Sequence, residues 1–176
     1  RVLRPEVWET DIAAPLTEAH ADVRDGDYLL AINHRPVTAE DDVHRLLARL
    51  AGQEVLLTVA RQADRSDARD VQIKTLTSDR QLRYRDWCRR NREYVAAQTD
   101  GRVGYFHIPD MGGNGLVEFI KGFYPQVQKE GLIVDVRANG GGFVSQLIID
   151  RLARQVVAFR RARRGEVYTY PARVHR

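Results

Sequence analysis

Gly131-Leu132-Ile133-Val134-Asp135-Val136-Arg137-Ala138-Asn139-Gly140-Gly141-Gly142 reads as an apolar strand running straight into a glycine turn. A strand covered on both faces loses the apolar–polar alternation of a half-exposed one, and such runs belong to parallel sheets flanked by helices. After the turn, residues 143–153 have the apolar content of a helix, with Phe143, Val144, Leu147 and Ile148. Upstream, residues 103–108 form a second strand-length run and residues 109–113 a loop. Leu116, Phe119, Ile120, Phe123 and Val127 then fall on one helical face. Strand, helix, strand, helix in that order predicts a βαβ unit and a parallel sheet. A further helix is expected over residues 82–98, with Tyr84, Trp87, Cys88, Tyr94 and Val95 as its apolar face.

Glycines at the carboxyl end of a parallel strand let backbone N–H groups point at an anion. A dinucleotide is disfavoured because G-x-G-x-x-G is absent. A nucleoside triphosphate is disfavoured because no Lys-Ser or Lys-Thr follows. The oxyanion of an acyl-transfer intermediate stays open, as does a purely structural tight turn before the helix.

The first half has a different texture. Asp25-Gly26-Asp27 is a turn, Tyr28-Leu29-Leu30-Ala31-Ile32 a strand, Asn33-His34 a second turn, and Arg35-Pro36-Val37 returns the chain. Thr38 can cap a helix, with Asp41 three residues on, and Val43, Leu46, Leu47 and Leu50 make one apolar stripe before Gly52. Residues 54–61 and 71–76 read as two more strands, separated by a polar loop. The expectation is a small β domain over residues 1–77, followed by an α/β half-domain over residues 78–176.

Length and composition fit this division. The chain has 176 residues, enough for two small domains, and 43% hydrophobic residues is too apolar for disorder. No run of about 18 apolar residues occurs, so no membrane partner is expected. Cys88 is the single cysteine, which excludes an internal disulfide and fits a reducing, cytoplasmic compartment. Residue 1 is Arg, without an initiator Met or signal pattern, so the chain reads as a piece of something longer. Residues 151–176 carry eight Arg against Glu166 alone, a net charge of +7 within an overall +4. No aromatic-studded motif or recognition helix accompanies that run, so it reads as a solvated edge or subunit contact, not a nucleic-acid site. The histidines (20, 34, 44, 107, 175) show no paired-ligand spacing, so neither metal nor cofactor is expected.

Two resemblances sharpen the reading. Residues 25–33 with the striped helix resemble a PDZ domain, although His34 stands where Gly is usual. PDZ domains bind extended peptides by adding a strand to a sheet edge. The resemblance would place Val43, Leu46 and Leu47 beside that groove; packing in the core explains them equally well. The usual carboxylate-binding loop is not legible near residue 1, which argues against free C-termini as ligands.

Leu82-Arg83-Tyr84-Arg85-Asp86-Trp87, Arg92-Glu93-Tyr94-Val95 and Gly104-Tyr105-Phe106-His107-Ile108-Pro109-Asp110-Met111-Gly112 resemble the tricorn core proteases. The match continues from Gly131 to Leu152. This family is similar to the tail-specific, carboxyl-terminal processing peptidases and uses a serine nucleophile. The resemblance implies a catalytic histidine before the PDZ domain and a serine roughly 50 residues beyond the glycine turn, so both fall outside residues 1–176. It implies peptide substrates, a hexameric homo-oligomer and an oxyanion hole at the turn. Gly142, together with Gly141, is the catalytic contribution expected here, with Gly140 and Gly141 shaping the turn. Because the donor is main-chain, Gly142→Val is expected to cut kcat several hundredfold with the fold kept.

A local triad of Ser145, His107 and Asp110 or Asp135 is declined. A triad is a matter of geometry, Ser145 sits one turn into an apolar helix, and His107 alternates within a strand. The resemblance also implies a specificity aspartate about 20 residues after the first glycine of the turn; that offset lands on Arg160. Arg160 would then either repel cationic side chains and favour acidic ones, or point away and leave an apolar pocket. A tail-specific Ser–Lys peptidase and a non-catalytic PDZ adaptor are the rival readings.

Overall fold

The computed structural model describes every residue except Val7, Thr10, Arg173, His175 and Arg176. Two arginines of the basic run and His175 of the histidine set therefore lie outside the described residues. The chain divides into two compact units, Arg1–Trp87 and Cys88–Arg176. The division falls inside a long helix, α2, Arg80–Gln98.

The first unit is built on four antiparallel strands in the order β2-β1-β3-β4. These are β1 (Tyr28–Ile32), β2 (Arg35–Pro36), β3 (Glu54–Ala60) and β4 (Arg69–Lys74). Val55, Leu57 and Val59 of β3 and Val71 and Ile73 of β4 alternate with less buried residues and point to one buried face, which they share with Ala21, Val23 and Ile32. The register of β1 on β3 shifts between Leu29 and Ala31, a bulge in an otherwise regular ladder. Asp22 locks the loop before β1: its carboxylate meets Arg24 and Arg61, which hold its pKa down to about 2, and its carbonyl accepts from Arg61 and Arg69.

The helix of this unit is shorter than the sequence suggests. It is α1, Val43–Leu46, capped by Asp42, whose side chain accepts the His44 N–H at 2.9 Å. The Asp41 carboxylate is already spent on the Thr38 amide and hydroxyl, at 2.9 and 2.8 Å. That closes residues 38–41 into a separate turn, so helical geometry begins only after it. Arg49 then adopts φ +69°, which a continuing helix cannot accommodate. Val43, Leu46, Leu47 and Leu50 nevertheless pack, half-buried, against the sheet core.

In the second unit β5 (Val103–His107) and β6 (Gly131–Asp135) pair in parallel, Val103 opposite Gly131 and His107 opposite Asp135. Helix α3 (Gly113–Phe123) lies between them in sequence, which makes the expected βαβ unit. Its core is Phe106, Ile108, Phe119, Phe123, Val127 and Ile148. Phe119 meets Phe106 edge-on at 5.9 Å and stacks on Phe123 at 5.1 Å; fully burying each such ring contributes about 1.5–3 kcal/mol. After α4 (Ser145–Leu152) comes an antiparallel hairpin, β7 (Ala158–Arg161) with β8 (Val167–Tyr170), that the sequence reading did not anticipate. On α2 the expected apolar face is only partly right: Tyr94 is exposed, while Leu82 and Asp86 are buried. Asp86 tolerates burial because the Arg1 guanidinium bonds to its carboxylate.

The Asn33-His34 turn yields a direct test. Both residues have positive φ, +48° and +64°, the geometry of the two-residue hairpin turn that favours Asn-Gly. Asn33 earns its place by accepting the Leu56 N–H on Oδ1 and donating its own N–H to the Leu56 carbonyl. Among the described residues His34 makes no such bond. His34→Gly is therefore expected to raise the unfolding free energy of the protein by about 0.5–1 kcal/mol, read in a urea titration.

Candidate functional site

The site forms where β6 ends. The last strand carbonyl, Asp135 O, accepts the Ile108 N–H at 2.9 Å, and the chain then turns through Ala138, at φ +56°. Residues 139–144 run alongside residues 108–112 in a backbone zipper. The Gly140 N–H donates to Pro109 O at 2.9 Å, the Met111 N–H to Gly141 O at 2.7 Å, and the Val144 N–H to Met111 O at 2.8 Å. Asn139 braces the turn from within. Its Nδ2 donates to Ile108 O at 2.9 Å, and its Oδ1 accepts the Gly141 N–H at 2.8 Å.

The amides of Gly140 and Gly141 are thus consumed inside the turn. Among the described residues the Gly142 N–H has no acceptor. A trans peptide holds its C=O and N–H antiparallel. Because Gly141 O faces the Met111 amide, the Gly142 N–H is aimed away from the 109–112 loop. A main-chain donor held open in this way is what an oxyanion requires. Gly141 and Gly142 sit at φ +79° and +140°.

Only glycine fits at 142. A Cβ there would stand 2.2 Å from Met111 O and 2.4 Å from Met111 C, both backbone atoms. The expectation that Gly142→Val keeps the fold is therefore corrected: any side chain must push the two main chains apart. The loop opposite is itself fixed by Asp110, whose Oδ1 accepts the Gly112 and Gly115 N–H groups at 2.7 and 2.9 Å. Those two amides hold the Asp110 carboxyl below its ordinary pKa. Its Oδ1 is thus committed to the amides at the start of α3.

A charged cluster supports the strand ends from below. The Asp135 carboxylate is buried and accepts the Tyr105 hydroxyl at 2.6 Å, the Arg137 N–H at 2.9 Å and the Arg137 guanidinium at 2.5–3.0 Å. The guanidinium, and then the phenol, hold Asp135 far below the usual carboxylate range. Burial, then the bond to Asp135, push the Tyr105 hydroxyl up to about 12. Asn91 of α2 donates to the same hydroxyl at 3.1 Å. The His107 ring is buried, and Nε2 donates to Arg137 O at 2.8 Å.

The structure sorts the sequence candidates as follows. His107 and Asp135 belong to this supporting network. Ser145 is the first residue of α4 and not one turn inside it. Gly141 shapes the turn, and Gly142 presents the open amide. Arg160 lies exposed on β7, opposite Tyr168, with its guanidinium 5.6 Å from the centre of the Tyr170 ring. Sequence reasoning missed Asn139 and Tyr105; a small amide just before consecutive glycines was the available signal for the first. Among the described residues no group of three or more His, Cys, Asp or Glu side chains is placed to hold a metal ion.

Comparison with known proteins is consistent along the chain. Residues 1–78 match the family model of the tricorn protease PDZ domain, and residues 102–171 that of peptidase family S41. The chain is 43% identical over 140 residues to the tricorn protease of Thermoplasma acidophilum, covering 80% of this chain and 13% of that protein. It is 35% identical over 171 residues to tricorn protease homolog 1 of Streptomyces coelicolor, covering 97% of this chain and 16% of that one. The crystal structure of the tricorn protease superposes with a TM-score of 0.85 at 36% identity, over 100% of this chain and 17% of its own. The chain thus spans less than a fifth of the length of these proteins.

The buried phenol gives a pH signature. Below pH 10 Tyr105 is neutral in folded and unfolded chains alike. Between about 10 and 12 it ionises only when unfolded, so stability falls across that window by about 2–3 kcal/mol. Tyr105→Phe should cost about 1 kcal/mol at neutral pH, for the lost hydrogen bond, and should remove that alkaline decline. Urea unfolding at pH 8 and pH 12, wild type against variant, reads both effects; an identical alkaline decline in the two proteins contradicts the assignment.

Proposed function

The chain belongs to the tricorn protease family, and from that premise we propose that it supplies the oxyanion-binding half of a serine peptidase site acting on oligopeptides. The observation that carries this reading is the Gly142 N–H, left without an acceptor in a turn whose neighbouring amides are consumed. In the complete protein a serine from beyond residue 176 attacks the peptide carbonyl. The oxyanion that develops takes a hydrogen bond from Gly142, and a histidine from before residue 1 moves the proton. A donor of this kind is typically worth about 3–4 kcal/mol of barrier. Residues 1–176 alone carry neither nucleophile nor base in this reading and are inert toward peptides.

The remaining assignments follow the same logic. Residues 1–77 act as the PDZ-type domain and residues 78–176 as the first part of the α/β core. Val43, Leu46 and Leu47, half-buried against the sheet, flank a peptide groove. Assembly is as a homo-oligomer, hexameric by family resemblance, in the cytoplasm. Among the described residues no helix is long and apolar enough to cross a membrane. Arg160 takes the place of an acidic specificity residue. It is exposed, and the hairpin that holds it carries Arg161, Arg163 and Arg164 against Glu166 alone.

Two measurements on the full-length protein test these assignments. A crystal structure with a peptide boronate should place a boronate oxygen within hydrogen-bond distance of Gly142 N; an oxygen held elsewhere removes the oxyanion assignment. Fluorogenic peptides with Arg, Leu or Asp before the cut bond should show no kcat/KM advantage for Arg. Like charges about 4 Å apart cost up to about 4 kcal/mol at an effective dielectric near 20, so a clear preference for Arg means Arg160 does not line the pocket.

A further inference from the structure

We propose that Asn139 is a positioning residue for the oxyanion donor, a role that rests on the reading of Gly142 given above. Two peptide planes decide where the Gly142 N–H points. The plane between residues 141 and 142 is pinned at its carbonyl end by the Met111 N–H, at 2.7 Å. The plane between residues 140 and 141 has no such backbone partner at its N–H end; there the Asn139 side chain holds it, Oδ1 to Gly141 N at 2.8 Å. Together the two contacts set both dihedrals of Gly141, a residue with no Cβ to restrict them and a φ of +79°. Without Asn139 the first plane is free to rotate, and the Gly142 amide samples directions instead of keeping one.

The second end of the carboxamide matters equally. Nδ2 donates to Ile108 O at 2.9 Å, so the side chain is itself anchored to the residue that follows β5. The network admits one orientation of the amide, oxygen toward the N–H and nitrogen toward the C=O. A second consequence follows from the same bond. Because the Gly141 N–H is occupied, an anion cannot settle one residue, about 3.8 Å, short of the productive donor. Asn139 thereby selects one amide of the three. An ionised aspartate could accept from Gly141 but not donate to Ile108, whereas a protonated one could do both.

The test uses the full-length protein with Asn139→Ala and Asn139→Asp, with rates expressed per active site titrated by a fluorophosphonate. Asn139→Ala should lower kcat by about 10- to 100-fold with KM changed less than about threefold, since the interaction is made in the transition state. Its affinity for a peptide boronate should fall in proportion, while affinity for the cleaved peptide product stays constant. A merely structural role would reduce the number of titratable sites and leave the rate per site unchanged; that result overturns the proposal. Asn139→Asp should recover activity relative to wild type as pH is lowered from 8.5 toward about 4, the range in which a carboxyl regains its proton. A flat ratio across that range overturns the proposal as well, and the aspartate variant decides the matter if the alanine variant does not fold. The parent reading fails separately, if the wild-type boronate complex holds its oxygen away from Gly142 N.

Discussion

Main chain touches main chain where Met111 runs beside Gly142, and the second unit is arranged around that contact. Met111 uses its N–H on Gly141 and its carbonyl on Val144, so the loop after β5 and the turn after β6 behave as a short extension of the parallel pair. The approach is too close for any side chain at 142. A similar intimacy recurs one loop earlier, where a Cβ at Gly115 would fall 1.7 Å from Asp110 O. The site is therefore made of backbone fitted to backbone, and at Gly142 and Gly115 nothing larger can stand.

Below this layer lies a charged support with a different logic. Asp135 is buried at the foot of the turn and saturated by Tyr105 and Arg137. Burying a carboxylate is costly unless its lone pairs are filled, and here they are filled by groups on either side of the sheet ladder. The Arg137 side chain reaches back to Asp135 while its carbonyl receives the His107 ring. The two ionisable side chains of this network that the sequence offers as catalytic candidates, His107 and Asp135, are thus explained by how they hold the end of β6.

Much of this was legible in the sequence, and what was not has a physical cause. β3 and β4 declare themselves by alternation, because burial dictates residue type directly, and the βαβ unit by its apolar runs. The α2 face was misjudged at Tyr94 and Asp86: a helix of that composition offers more than one inward face, and the choice depended on Arg1, far away in sequence. The β7–β8 hairpin was invisible because its residues are exposed on both sides and carry no period. The glycine turn was readable as a set of amides able to face an anion. That the open amide is Gly142 came only from the family resemblance, since the residues alone do not show the Pro109 carbonyl, the Met111 amide and the Asn139 side chain on which it depends.

The parallel pairing of β5 with β6 also orders events in time. β1 and β2 are separated by two residues, Asn33 and His34, and such a hairpin closes in about 1–10 μs. β5 cannot pair with β6 until α3 and the rest of residues 108–130 have been made and folded back, a longer closure with a larger entropic toll. During synthesis, then, there is an interval in which the first unit is complete while Tyr105 already exists without Asp135. For that interval the phenol that will later lie in the core is one more solvated side chain on a nascent strand, and the arrival of residue 135 is the moment at which it can leave water.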